Sequence, residues 1–390
     1  MIYDFDTIID RRGTSSSKWD RRKKDVGEDD VLPMWVADMD FPSPPPVLEA
    51  LRKRVEHGIL GYTERTSSYY AALASWMKRR FDWDIRETKI VYTPGVIVAL
   101  NLIIQAYTQP GDKIIIQQPV YHPFAYAIQN NKRSLVNNQL QIQDGRYVMD
   151  LYHFKKSIDG STRLLILCSP HNPVGRVWTK EELLQLAEIC LENNIIIVSD
   201  EIHADLVLEG HIHTPTSTLS EEIANITVTC TAPTKTFNIA GLGVANTIIS
   251  NTSLYERYFD VVNNAGLEMT NVFAKVASEA AYNQGEEWLL HLLSYLKGNY
   301  EFLISFLKAR IPRVSVFPLE GTYLTWLDFR NWGLPDRDLK KFLLHKAKVW
   351  LDEGTKFGGG GEGFQRMNIG CPRKLLKEGL ERIANAMSAL

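Results

Sequence analysis

The chain is poor in cysteine. It has four in 390 residues, Cys168, Cys190, Cys230 and Cys371, far apart and with no C-x-x-C pair. That spacing argues against a disulfide scaffold or a zinc cluster, and Cys168 and Cys230, set in apolar runs, read as small buried thiols. Long apolar runs are missing as well, so no membrane span is expected. The opening stretch MIYDFDTIIDRRG carries acids and lacks the apolar centre of a secretory signal, which makes a cytoplasmic protein the expectation. An excess of charge is also absent: 44 Lys and Arg stand against 46 Asp and Glu, for a net charge of −2, so there is no basic field of the kind nucleic-acid binding requires. The cluster Arg21, Arg22, Lys23 and Lys24 is followed by Asp25, Glu28, Asp29 and Asp30 and reads as a solvated surface stretch. There is no internal repeat and no low-complexity tract.

What is present is an ordinary globular composition, 45% hydrophobic and 23% charged, on a chain long enough for one large domain and a smaller one. From about residue 88 to 250, short β-rich runs alternate with helical patterns. The runs are KIIIQ (113–117), LLILC (164–168), IIIV (195–198), ITVTC (226–230) and ANTII (245–249). Between them, TKEELLQLAEICLEN (179–193) opens with Thr179 as a helix cap and Glu182 three residues on, as in a capping box. This alternation predicts an α/β domain with a mostly parallel sheet flanked by helices. From about residue 285 the texture changes: a long helical stretch (286–310), the alternating segment VSVFPLEGTYLTWLDF, then more helices, which suggests a smaller α+β domain. The Pro-rich first 45 residues are expected to wrap another element.

In open α/β sheets, ligands bind beyond the carboxyl ends of the strands, so the residues after each strand are the candidates. IVYT is followed by Pro94, Gly95, Val96 and Ile97 at a strand-to-helix turn suited to an anion. KIIIQ leads to Tyr121 and His122, aromatic rings able to stack on a flat ligand. LLILC leads to Asn172, held between two prolines. IIIV leads to Asp200, Glu201 and His203; adjacent acids on an extended chain point to opposite sides, which disfavours a metal site, and Asp200 is suited to pair with a cationic ring nitrogen. ITVTC leads to Thr234, Lys235 and Thr236, where an apolar setting lowers a lysine pKa and suits imine chemistry. Each feature alone is as well read as an ordinary turn, packed aromatic or surface lysine. In order, at successive strand ends, they supply an anion cradle, a ring platform, an amide, an acid for a ring nitrogen and an amine, which is the set that pyridoxal 5′-phosphate (PLP) needs.

This order resembles the fold-type-I PLP-dependent transferases, the superfamily that includes aspartate aminotransferase. The resemblance implies a large PLP domain (46–284), a small domain built from 1–45 together with 285–390, and a homodimer with active sites at the subunit interface. It implies Lys235 as the Schiff-base lysine, Asp200 at the pyridine nitrogen, Asn172 at the phenolic oxygen, Tyr121 on the ring, and Gly95, Val96 and Ile97 at the phosphate. Tyr62 is implied to reach the neighbouring subunit's phosphate, and Arg366 to clamp the substrate α-carboxylate as a bidentate fork. Longer phrases, LPMWVADMDF, SDEIHADL, APTKTFNIAGL, AYNQGEEWL, EGTYLTWLDF and RMNIGCPR, resemble the cystathionine β-lyases of the MalY/PatB type.

Two departures from the aminotransferase pattern fit that group: His203 stands where a tyrosine is usual, and Gly243 where a phosphate-binding arginine is usual. Thr234 and Thr236 are the candidate replacement donors. The expected reaction is β-elimination from an S-substituted cysteine such as cystathionine, with Lys235 as the Cα base, giving a thiol such as homocysteine, pyruvate and ammonia. The alternatives are transamination, or a lyase with an added regulatory binding role of the kind one member of the group has toward a transcription activator. Trp35, Val36, Ala37, Asp38 and Tyr323 are candidates near the amino-acid substrate, Ala37 and Asn172 among its contacts. The Gly-rich stretch KFGGGGEGF (356–364) suits a mobile lip, a close backbone approach to ligand, or a plain surface turn.

Overall fold

The computed structural model describes residues 3–85, 90–267 and 269–388. The expected start of the α/β segment near residue 88, and the outermost residues of the two chain ends, lie outside these. Seven strands form the main sheet: β1 (Ile90–Thr93), β2 (Lys113–Ile116), β3 (Ser134–Asn137), β4 (Thr162–Cys168), β5 (Ile196–Asp200), β6 (Thr227–Thr231) and β7 (Ala245–Ile249), in spatial order β1-β7-β6-β5-β4-β2-β3. All neighbouring pairs are parallel except those of β7, which runs antiparallel to β1 and β6. The mostly parallel sheet read from the sequence is therefore present. Its inner strands are buried along nearly their whole length, as strands covered by helices on both faces must be. In register, Cys168 lies opposite Asp200, and Asp200 opposite Cys230. The carboxyl ends of β4, β5 and β6 are thus level, and the loops leaving them open onto one place.

Helix α1 (Val96–Tyr107) follows β1 directly. Helix α2 (Lys180–Glu192) starts with the anticipated capping box: Thr179 Oγ1 accepts from Glu182 N at 3.2 Å and Glu182 Oε2 accepts from Thr179 N at 2.8 Å. Lys235 sits on a one-turn helix, α3 (Pro233–Thr236), begun by proline at its first position. Helix α4 (Glu286–Arg310) runs unbroken over 25 residues.

The alternating segment VSVFPLEGTYLTWLDF contributes two strands. β8 (Ser315–Val316) and β9 (Leu324–Asp328) are separated by a loop, and with β10 (Asp352–Glu353) and β11 (Phe364–Asn368) they make an antiparallel sheet ordered β8-β9-β11-β10. Pro318 has no N–H to donate to a ladder. Glu320 N and Gly321 N donate instead to Gly175 O, and Thr322, at φ 71°, turns the chain into β9. The N-terminal segment wraps as anticipated: Leu32–Pro33 pairs in parallel with Val349–Trp350.

Candidate active site

The level strand ends enclose a cavity of about 330 Å³. Its wall includes Gly95, Val96, Ile97, Tyr121, Asn172 and Asp200, and also His203, Thr234, Lys235 and Ala37. The residues read from separate strand ends therefore meet. A larger cleft of about 540 Å³ opens beside Trp83–Ile85, Glu221 and Ser250–Ser253, but no lysine, arginine or histidine is among its described lining.

Lys235 Nζ donates to the carbonyl of Ala37 at 2.6 Å. Burial lowers its pKa to about 8; Asp38 and Asp200 raise it and Arg366 lowers it further. Asp200 is buried and has no ion-pair partner among the described residues; its Oδ1 accepts only from Ile202 N at 3.2 Å. Burial pushes its pKa up to about 7, Glu201 adds to this, and the Ile202 amide and Lys235 oppose it. The neighbouring Glu201 turns away, to His213 Nε2 at 2.9 Å, Ser199 Oγ at 2.8 Å and Thr216 N at 2.9 Å, so the two acids diverge as an extended chain requires. His203 is buried with Nδ1 unpartnered, and its pKa falls to about 3, first through burial, then through Lys235 and Arg366. Its ring lies edge-on to Tyr323.

Arg366 comes from β11 in the smaller sheet. Its Nη1 donates to Asn172 Oδ1 at 2.9 Å, and its Nη2 donates to Asp352 Oδ2 and to Trp35 O, each at 2.8 Å. Its Nε is buried with no partner. Tyr323 Oη donates to the Ala37 carbonyl at 3.0 Å, beside Lys235.

Gly95 caps α1 in extended backbone, the stretch Gly95 to Val98 lines the cavity, and the first-turn amides of a helix have no partner within it. Gly243 has φ 64°, and a Cβ there would lie 3.0 Å from Pro94 O, so any larger residue would be strained in this conformation. Of the two threonines offered as replacement donors, only Thr234 lines the cavity. Thr236 points away and donates to Asp205 Oδ2 at 3.0 Å, because successive residues on a helix face different directions. Tyr62 is not among the residues lining this cavity and is 93% exposed.

The Gly-rich stretch packs against the loop before Tyr121. Gly359 N donates to Gln118 Oε1 at 3.1 Å, and a Cβ at Gly358 would lie 2.1 Å from the Gln118 amide carbon; its glycines allow close approach to the loop before Tyr121. Sequence reading missed Asp352, the partner of Arg366, whose one signal is an acid inside the apolar run VWLDE. It also read Cys168 as core only, whereas this thiol forms part of the cavity wall.

A buried acid without a cation, a lysine with a lowered pKa, and a helix N-terminus at one cavity fit a flat cofactor bearing a basic ring nitrogen, an aldehyde and a phosphate. The family model for class I and II aminotransferases matches residues 29–383. The chain belongs to that family. Within it, the chain is 45% identical to cystathionine beta-lyase PatB of Bacillus subtilis (strain 168), over 98% of this chain and 100% of that one. It is 34% identical to protein MalY of Escherichia coli (strain K12), over 100% of each. The crystal structure of cystalysin from Treponema denticola, which contains a pyridoxal 5′-phosphate cofactor, superposes with a TM-score of 0.97 at 39% identity over 100% of both chains. Family membership and fold thus agree with the resemblance read from the motifs. Among the described residues, no helix of this family member is long and apolar enough to cross a membrane.

Proposed function

We propose that the protein is a PLP-dependent carbon–sulfur β-lyase that cleaves cystathionine or related S-substituted cysteines. The observation that carries this is the convergence of Lys235 and Asp200 on one cavity, with Arg366 bonded to Asn172 of its wall, in a chain 45% identical to a cystathionine beta-lyase over nearly its full length.

Lys235 Nζ would hold the cofactor's aldehyde at rest and would be freed as a primary amine when the substrate's own amine takes its place. Asp200 would hold the proton on the pyridine nitrogen, Tyr121 would face the ring and Asn172 would donate to the phenolic oxygen. The first-turn amides at Gly95, Val96 and Ile97, with Thr234, would hold the phosphate. Bound PLP supplies the electron sink for the pair left at Cα. Arg366 binds the α-carboxylate and fixes the Cα–H bond against Lys235. With a pKa of about 8, Lys235 has a substantial neutral fraction near neutral pH and takes the Cα proton as general base. The Cβ–S bond breaks, the thiolate leaves with a proton, and water converts the released enamine to pyruvate and ammonia; with cystathionine the thiol is homocysteine. PLP-loaded protein and cystathionine are expected to yield free thiol and pyruvate in equal amounts. Absence of both overturns the reading, and a keto acid with pyridoxamine phosphate and no thiol supports transamination instead.

The same reading includes a homodimer. Tyr62 stands in an exposed apolar patch with Ile59, Leu60 and Met269, a surface suited to a second copy of this chain, from which Tyr62 would reach the neighbouring site. The division into 46–284 and 1–45 with 285–390 follows the two sheets. Sedimentation at micromolar concentration is expected to give twice the chain mass, and a monomer overturns this.

A further inference from the structure

The arm that brings Ala37 to Lys235 has almost no ladder of its own beyond Leu32–Pro33, yet five consecutive carbonyls on it are held by side chains. Trp35 O accepts from Arg366 and Val36 O from Asn368. Ala37 O accepts from Lys235 at 2.6 Å and Tyr323 at 3.0 Å. Asp38 O accepts from Asn368 and Lys18, and Met39 O from Asn238 and Arg11. At its far end is a buried ion cluster. Lys18, only 1% exposed, meets Asp40 Oδ2 at 2.6 Å. Asp40 also accepts from Arg11 Nη1 at 2.8 Å and Trp19 Nε1 at 3.0 Å, and Arg11 reaches Asp38 at 2.7 Å. None of Arg11, Lys18 or Asp40 lines the cavity. Two residues, Asp38 and Met39, separate Asp40 from Ala37, so the two lie at most about 10 Å apart along the chain. Burying such a pair adds little net stability over apolar side chains of the same size, whereas it does specify one arrangement in some folds.

We propose that Lys18 and Asp40 are positioning residues for Lys235: their ion pair fixes the arm so that the Ala37 carbonyl, with Tyr323 on the same oxygen, holds the lysine amine where it meets the Cα proton. The proposal rests on Lys235 acting as the Cα base and not on which group leaves Cβ. Misplacing a reacting group by about 1 Å can lower a rate about 100-fold.

The test uses PLP-loaded wild type, Lys18→Met, Asp40→Asn, the double variant (which leaves no uncompensated buried charge), and Tyr323→Phe. Lys23→Ala, at an exposed position of the same segment, is the control. Backbone hydrogen exchange of residues 31–41 is followed by mass spectrometry, and exchange of the Cα proton of L-alanine in D2O by NMR; alanine has no leaving group. In the latch variants we expect faster exchange in the arm and a Cα exchange rate at saturation lower by about 10- to 100-fold, with the half-saturating alanine concentration changed less than threefold. Tyr323→Phe is expected to slow Cα exchange without loosening residues 38–41. A looser arm with an unchanged Cα rate overturns the proposal, as does a slower Cα rate in a variant whose arm exchanges like the wild type. If the wild type exchanges the Cα proton but frees no thiol from cystathionine, the lyase reading fails and the arm assignment is still decided by these rates. A wild type that exchanges no Cα proton overturns both.

Discussion

Asp200→Asn separates what the cofactor requires from what the fold tolerates. In the cofactor-free protein the Asp200 pKa rises from 3.8 to about 7, chiefly through burial. A raised acid contributes stability that is fully present below its unfolded pKa and lost as pH climbs to its folded one. The window here is pH 4 to 7, because the unfolded chain gives up its proton near 3.8 while the folded chain holds it to about 7. A difference of about three pH units corresponds to ~4 kcal/mol, an upper value, since water entering the open cavity screens part of it. Asparagine is isosteric, still accepts from Ile202 N, and carries no charge to desolvate. Cofactor-free Asp200→Asn is therefore expected to be more stable than wild type at pH 8 by as much as ~4 kcal/mol, with the difference vanishing near pH 4. Urea unfolding at a series of pH values measures this. With PLP the order reverses: the wild type gains a pyridinium partner for Asp200 and the variant does not, so PLP should raise the wild-type melting temperature more. Equal pH dependence of the two cofactor-free proteins would refute the argument, and so would an equal gain from PLP.

Three further outcomes follow from the same geometry. Arg366→Ala leaves the buried Asp352 with only Lys356, at 3.0 Å; we expect a loss of about 3 kcal/mol in urea unfolding and a KM raised at least tenfold, and Asp352→Asn added to it should restore stability but not KM. His203, held near pKa 3, stays neutral from pH 5 to 9, so His203→Gln should leave the limbs of the pH–rate profile where they are, with activity rising as Lys235 loses its proton through about pH 8; a limb near pH 6.5 that disappears in the variant would contradict this. Gly243→Arg puts a side chain at φ 64° against Pro94 O, so it should lower stability by about 1–2 kcal/mol without tightening PLP binding, as read by calorimetry and cofactor titration.

The sequence conveyed most where the determining interactions are local. The strands of β-branched residues declare themselves by composition, α2 by its capping box and α4 by its length and periodicity. In the alternating segment VSVFPLEGTYLTWLDF a distant contact intervenes. Its alternation is real, but the main-chain donors of Glu320 and Gly321 are taken by Gly175, about 145 residues away in sequence, and that contact splits the segment. The Gly-rich stretch kept three readings open until Gln118 appeared against it, again a partner no local pattern announces.

The same distinction divides the site. The proposed cofactor side is assembled from strand ends, each followed within a few residues by the group it presents: Gly95 after β1, Asn172 after β4, Asp200 closing β5, Lys235 after β6. One regular sheet brings them level, so their order along the chain already implies their convergence. The proposed substrate side has no such scaffold. Ala37 reaches Lys235 across 198 residues and Tyr323 across 286, and Arg366 reaches Asn172 across 194. Asp352, Lys18 and Asp40 act through those contacts and leave almost no mark on their neighbours. A reader of the sequence can therefore name the cofactor with more security than the substrate, because the periodic sheet encodes the first and individually placed long-range hydrogen bonds determine the second. Changes in substrate preference should accordingly be sought in the arm at residues 35–40 and around Asp352, where substitutions leave the strand ends intact.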